Sequence, residues 1–190
     1  DSAVAAALYA HALSPENVLL INMPSRFNST TTINLARRLA ENLGCRYADI
    51  PIHDSVALTI RQMETAGLSL SPFMQENVQA RDRSSRILAA AAAAFGGAFT
   101  CNANKSELTV GYCTLYGDES GFLAALADLW KHQVYELGRW LNEQIYKSQV
   151  IPAEVFSIVP SAELSRDQDV DAGKGDPLIY PYHDFLFCAF

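Results

Sequence analysis

The chain has 190 residues, 49% hydrophobic and 18% charged, a globular composition that excludes an extended disordered chain. Its net charge of -7 and pI of about 5.0 argue against a general nucleic-acid binder, which needs a basic footprint. No apolar run is long enough to span a bilayer, and residues 3–8 lack the basic flank of a signal peptide.

In chain order, Asp1-Ser2 leads straight into an alanine-rich segment, 3–13, read as a helix with Asp1 as its capping residue. Residues 17–23 (NVLLINM), stopped by Pro24, predict a buried strand. Residues 31–43 have helical spacing and end at Gly44; 46–52 form a second strand candidate; 54–66 form a helix closed by Gly67. After a loop over 69–72, a long helix is expected over 76–95, stopped by Gly96-Gly97, and a third short strand over 98–102. Residues 105–112 and 129–142 are expected to be helical. The chain then ends on an apolar stretch, 184–190, without a stop signal. With no strand before the first helix, this predicts more chain on both sides.

Strands alternating with helices give an α/β domain with a parallel sheet, whose ligands bind beyond the carboxyl ends of the strands. The segments to inspect are therefore 24–29, 52–54 and 102–107. The alanine run at 89–94 is a smooth helix face rather than a linker. Residues 157–176, rich in charge and glycine, read as a mobile surface loop able to order over a ligand. Cys45, Cys101, Cys113 and Cys188 contain no C-x-x-C pair, so reduced thiols of a cytoplasmic protein are expected. Cys113 and Cys188, among apolar residues, are expected in the core.

The densest polar chemistry lies at 102–118, NANKSELTVGYCTLYGD. Glu107, one turn into a helix after a predicted strand, is placed to hold a hard cation such as Mg²⁺; alone, it would read as a solvated helix glutamate. Arg83 and Arg86 share a helix face and read as surface ion-pairing residues, with Arg81 pointing elsewhere. The four histidines His11, His53, His132 and His183 are scattered and read as structural or surface residues. Lys174, between two glycines, could reach a phosphate if its loop closed, but no Walker frame surrounds it.

The segment 102–118 resembles the signature of the synthetase domain of NAD synthetases, the glutamine-dependent type in particular. MPSRFNS at 23–29, ENVQARDR at 76–83, ADLWKHQVY at 127–135 and VPSAELSRDQDVD at 159–171 agree in order and spacing. The resemblance covers nearly all of residues 1–190. It implies a three-layer α/β fold, a parallel sheet flanked by helices, of the adenine nucleotide alpha hydrolase-like, Rossmann-like kind. Asp1-Ser2 would be the last two residues of a pyrophosphate loop of pattern S-G-G-x-D-S, whose Ser-Gly-Gly part is not in this sequence.

The resemblance also implies site roles. ATP would be bound by Asp1, Ser2, Met23, Asn28, Asn102, Lys131 and Ser161, and deamido-NAD by Arg81. Mg²⁺ would be held by Asp1 and Glu107, and Lys131 and Glu107 would serve the chemistry. Asn102 stands where ammonia-dependent relatives have threonine, and Leu115 where they have a substrate-binding lysine. The implied reaction adenylates the nicotinate carboxylate of deamido-NAD and displaces AMP with ammonia. An N-terminal glutaminase domain outside this chain would supply the ammonia. Homo-oligomers are implied, with neither nucleic acid nor membrane as partner. The alternatives are another ATP pyrophosphatase, tRNA-modifying or GMP-synthesising, and a nucleotide-binding fragment that does not catalyse.

Overall fold

The computed structural model describes residues 1–189. Helix α1 (Ser2–Leu13) buries Val4, Ala5, Ala6, Ala7 and Ala10. Its small side chains let it sit inside the molecule against Leu39 and Leu43 of α2 (Thr30–Leu43) and Val134 of α7 (Lys131–Trp140). Leu126, Leu141, Val150 and Ile151 complete this core. Strands β1 (Leu19–Asn22) and β2 (Arg46–Asp49) pair in parallel, Leu19 opposite Arg46 through Asn22 opposite Asp49. Helix α2 makes the crossover. Ser29 accepts the Thr32 N–H at its start, and Gly44 takes the left-handed conformation at its end, with φ 70°.

Helix α3 (His53–Thr65) follows β2, and Ile52 and Val56 join Ile87 in a second, smaller core. The expected long helix is present but starts earlier, at Pro72, with Ser71 as its N-cap. It runs as α4 (Pro72–Arg81), a π-helical stretch (Asp82–Leu88) and α5 (Ala89–Phe95), ending on left-handed Gly96. π-Helical turns are rare and gather at functional sites; this one carries Arg83, Ser84 and Arg86.

Three expectations need correction. Residues 98–102 form no strand. Their backbone meets only the loop at Phe122–Leu123, through Phe122 N–H to Phe99 O and Cys101 N–H to Leu123 O. Gly121 permits this approach, since a Cβ there would lie 2.4 Å from the Cys101 nitrogen. Among the described residues the sheet thus has two strands, and β1 pairs along one edge only. Second, the apolar stretch near the end is helix α8 (Tyr180–Phe187), started by Pro181 in its first turn. Third, Cys188 is exposed and Cys113 half-buried, whereas Cys101 is the buried cysteine. The Cys113 thiol donates to Glu119, and burial with that carboxylate pushes it up to about 12. No helix of the described residues is long and apolar enough to cross a membrane.

Candidate active site

Four elements converge on Lys131. The short helix α6 (Lys105–Val110) starts with a capping box: Asn104 Oδ1 accepts the Glu107 N–H at 3.0 Å, and Glu107 Oε2 accepts the Asn104 N–H at 3.2 Å. The box fixes the Glu107 side chain and leaves Oε1 facing inward. Lys131, the first residue of α7, places its Nζ 2.6 Å from Asp1 Oδ2 and 3.9 Å from Glu107 Oε1. Asn104 Nδ2 donates to the other Asp1 oxygen at 3.1 Å. Asp1 occupies the N-cap position of α1, but its carboxylate makes no cap bond; the ammonium and the amide draw it away. Nor is Glu107 a solvated helix glutamate, since its side chain is only 15% exposed.

Residues 157–176 contribute side chains to the same cluster. The Asp176 carboxylate accepts Tyr112 Oη at 3.0 Å and Tyr180 Oη at 2.9 Å, and Tyr180 Oη lies 3.2 Å from Glu107 Oε1. Gln168 is buried and donates to Tyr112 Oη at 2.9 Å. Burial, with the carboxylates beyond it, raises both tyrosines above their ordinary range. The Tyr180 ring also lies under the Lys131 ammonium, 4.9 Å from centroid to Nζ.

A second cluster sits where β1 ends. Glu163 is buried and accepts three hydrogen bonds: Asn28 Nδ2 at 2.9 Å, the Ser29 N–H at 2.9 Å and Thr32 Oγ1 at 2.6 Å. Its backbone has φ 48°, a strained conformation for a residue with a side chain. A carboxylate thereby comes to rest on the N-terminus of α2, where the helix dipole favours negative charge. Arg83 donates to the Met23 carbonyl at 3.1 Å and to Asn28 Oδ1 at 3.3 Å. It is therefore no surface ion-pairing residue; desolvation lowers its guanidinium to about 10. Arg86 does ion-pair as expected, with Asp82 four residues earlier at 2.7 Å.

The remaining sequence candidates lie elsewhere or are already engaged. Ser2 is exposed. Asn102 accepts from Thr100 Oγ1 at 3.1 Å. Ser161 Oγ donates to the Gln168 carbonyl at 2.7 Å. Arg81, exposed, donates to the Leu115 carbonyl at 3.2 Å, so the candidate substrate residue touches the position that lacks the expected lysine. Lys174 is exposed, and no side-chain contact joins it to the cluster around Lys131.

Sequence reasoning missed Asn104, Glu163, Asp176 and Tyr180. The N-x-x-E spacing of Asn104 and Glu107 was a readable capping-box signal. Glu163 carries no local signal, because its partners lie 131 to 135 positions away, and Asp176 and Tyr180, although four residues apart, reach Tyr112 and Glu107 only through the fold.

The donor set can be tested for a divalent cation. No three His, Cys, Asp or Glu among the described residues converge closely enough to hold a metal by themselves. Asp1 and Glu107 offer one oxygen each toward the same ammonium. Two carboxylates completed by phosphate and water oxygens are a common share for Mg²⁺, so these residues fit it.

A family model described as NAD synthase matches residues 1–184. The chain is 46% identical over 175 residues to a glutamine-dependent NAD(+) synthetase of Synechocystis sp., covering 90% of this chain and 30% of that protein. A solved structure of NMN synthetase from Francisella tularensis superposes with a TM-score of 0.83 at 25% identity, covering 99% of this chain and 72% of the other. The glutamine-dependent NAD+ synthetase of Acinetobacter baumannii, solved with ADP, superposes with a TM-score of 0.77 at 29% identity, covering 98% and 38%. The chain spans about a third of the length of the curated relatives it matches, from 29% to 34%.

Proposed function

Since the chain belongs to the NAD synthase family, we propose that it is the synthetase part of a glutamine-dependent NAD synthetase, a carbon–nitrogen ligase. It makes NAD from deamido-NAD, ATP and ammonia, with the ammonia supplied by an N-terminal glutaminase domain outside these residues. The single observation that carries the reading is the convergence of Asp1, Asn104, Glu107 and Lys131, from elements up to 130 positions apart, on one buried point. The proposed setting is the three-layer, adenine nucleotide alpha hydrolase-like arrangement, in a homo-oligomer of the cytoplasm, with residues 1–190 forming one domain.

A carboxylate does not react with ammonia, because oxide is not a usable leaving group. The nicotinate carboxylate first attacks the α-phosphorus of ATP, forming a mixed anhydride and releasing pyrophosphate. Ammonia then attacks the carbonyl carbon, and AMP leaves with the former carboxylate oxygen. No protein nucleophile is required; the site positions reactants and neutralises charge. Mg²⁺, when bound by Asp1 and Glu107, supplies charge neutralisation on the phosphate oxygens. Lys131, now paired with Asp1, turns its ammonium to the departing pyrophosphate. Met23 and Asn28, braced by Arg83 and Glu163, border the adenine, with Asn102, Ser161 and Ser2 completing the nucleotide contacts. Arg81 offers a guanidinium to deamido-NAD phosphate or carboxylate.

The superposition on an NMN synthetase supports a second reading, in which the amidated substrate is the mononucleotide. One assay separates them: the protein at its natural length with ATP, Mg²⁺ and ammonium, given deamido-NAD or nicotinate mononucleotide in parallel. NAD from the first, with little amide from the second, is expected. Product from neither sinks the ligase assignment, and Glu107→Ala at full rate removes the metal role.

A further inference from the structure

Helix α7 has only half of a capping box of its own, Gln133 Oε1 accepting the Trp130 N–H at 2.9 Å. Its N-cap residue is Trp130, whose indole only donates hydrogen bonds. The first backbone N–H groups of α7, at Lys131 and His132, would be orphaned. They are capped instead from two other elements. The Lys131 N–H donates to Ser106 Oγ at 3.0 Å, and the His132 N–H donates to Asp184 Oδ2 at 3.0 Å. Ser106 Oγ–H donates in turn to Asp184 Oδ1, and His132 Nδ1 lies 2.9 Å from Asp184 Oδ2. Asp184 is 2% exposed and Ser106 fully buried.

We propose that Asp184, resting on the synthetase reading above, is a positioning residue of the active site that sets Lys131 against Glu107. Its partners are the immediate neighbours of those two residues: Ser106 precedes Glu107 in α6, and His132 follows Lys131 in α7. One carboxylate of α8 thereby ties together the N-termini of the two helices that carry the ammonium and the carboxylate. The charge is stabilised where two helix dipoles point their positive ends. Although serine, histidine and aspartate meet here, this is no nucleophilic triad. The serine proton goes to the aspartate, and the histidine is no base for the serine. A one-ångström error in Lys131 would be costly, because a fixed charge works only where charge develops.

The test is a double-mutant cycle in the protein at its natural length, following NAD formation from ATP, deamido-NAD and ammonium. Asp184→Asn is expected to lower kcat by about 10- to 100-fold, as loss of an orienting partner does, with little change in the KM for deamido-NAD. In a Lys131→Ala background the same substitution is expected to cost less than about twofold, because nothing is left to position. A merely structural Asp184 would lower activity by the same factor in both backgrounds, and that result overturns the proposal. If Asp184→Asn does not fold, Ser106→Ala, which removes one hydroxyl, carries the same cycle with the same expectation. A natural-length protein that makes no NAD overturns both this inference and the ligase reading. One that makes NAD, while Asp184→Asn keeps full kcat, overturns this inference alone.

Discussion

Around Lys131, two carboxylates share one ammonium, and each contributor reaches the point from a different helix end. Around Glu163, one carboxylate faces three neutral donors on a single turn, with Arg83 braced on the same turn through Met23 and Asn28. The first arrangement holds excess negative charge that a cation or a moving lysine can rebalance, which suits a place where phosphate arrives and leaves. The second has its polar atoms satisfied and its backbone strained, which suits a rigid wall. Under the proposed function the contrast separates a reactive end of the site from a seating end, and substitutions can break or sharpen it.

The largest effect is expected from Lys131→Ala. Asp1 and Glu107 would keep largely buried charge without the Lys131 counter-charge, costing about 3–5 kcal/mol in urea unfolding. Under the proposed function, NAD formation by the protein at its natural length would fall by about 100- to 1000-fold, as when one preorganised donor is lost. Glu163→Ala comes next. It strands the Asn28 amide and the Ser29 N–H, at about 2–3 kcal/mol for bonds to a charged group. Its signature should be a raised KM for ATP with kcat altered less; the reverse pattern would erase the distinction between the two ends.

Tyr180→Phe should cost about 1–2 kcal/mol by removing the hydroxyl shared between Asp176 and Glu107. It also carries a pH dependence. The Tyr180 and Tyr112 hydroxyls are raised above the ordinary 10.0, first by burial and then by the nearby carboxylates. Above pH 10 the unfolded chain has lost these protons while the folded chain keeps them, so stability falls as pH rises further. Below pH 10 both states are protonated and the contribution is complete. Thermal unfolding between pH 9 and 11 should show a shallower alkaline decline in Tyr180→Phe than in the parent. The smallest effect is expected at Arg37, paired with Asp49 at 2.7 Å but 56% exposed. Arg37→Ala should leave the urea midpoint and the kinetics unchanged, because solvent screens such pairs.

How much was legible varies along the chain. The helices over 31–43 and 54–66 and the long helix announced themselves through their closing glycines, and Gly44, Gly67 and Gly96 all have positive φ, whereas the helix expected over 105–112 stops earlier, at left-handed Gly111. The strand expected over 98–102 did not form. An apolar run specifies extended backbone only when a neighbouring strand takes up its hydrogen bonds, and here a loop does. Helix α8 was missed because its aromatic sequence lacks a polar cap and a clear apolar spacing of three and four residues. Arg83 was misread for a related reason: its spacing predicted a face of the helix, but not which loop would fold over it.

The amino-acid sequence by itself determined most of the helices, the two paired strands, the family and the choice of Glu107 and Lys131 as the residues to follow. These rest on local periodicity, caps and motif order, which need no partner in space. The tertiary structure alone decided that Asp1 reaches Lys131 instead of capping its helix, that Glu163 seats the turn after β1, and that Asp184 caps a helix 52 residues away. Each is a buried charge meeting a donor from a remote element. Such pairings follow from burial, because a buried charge must find its partner wherever the fold provides one.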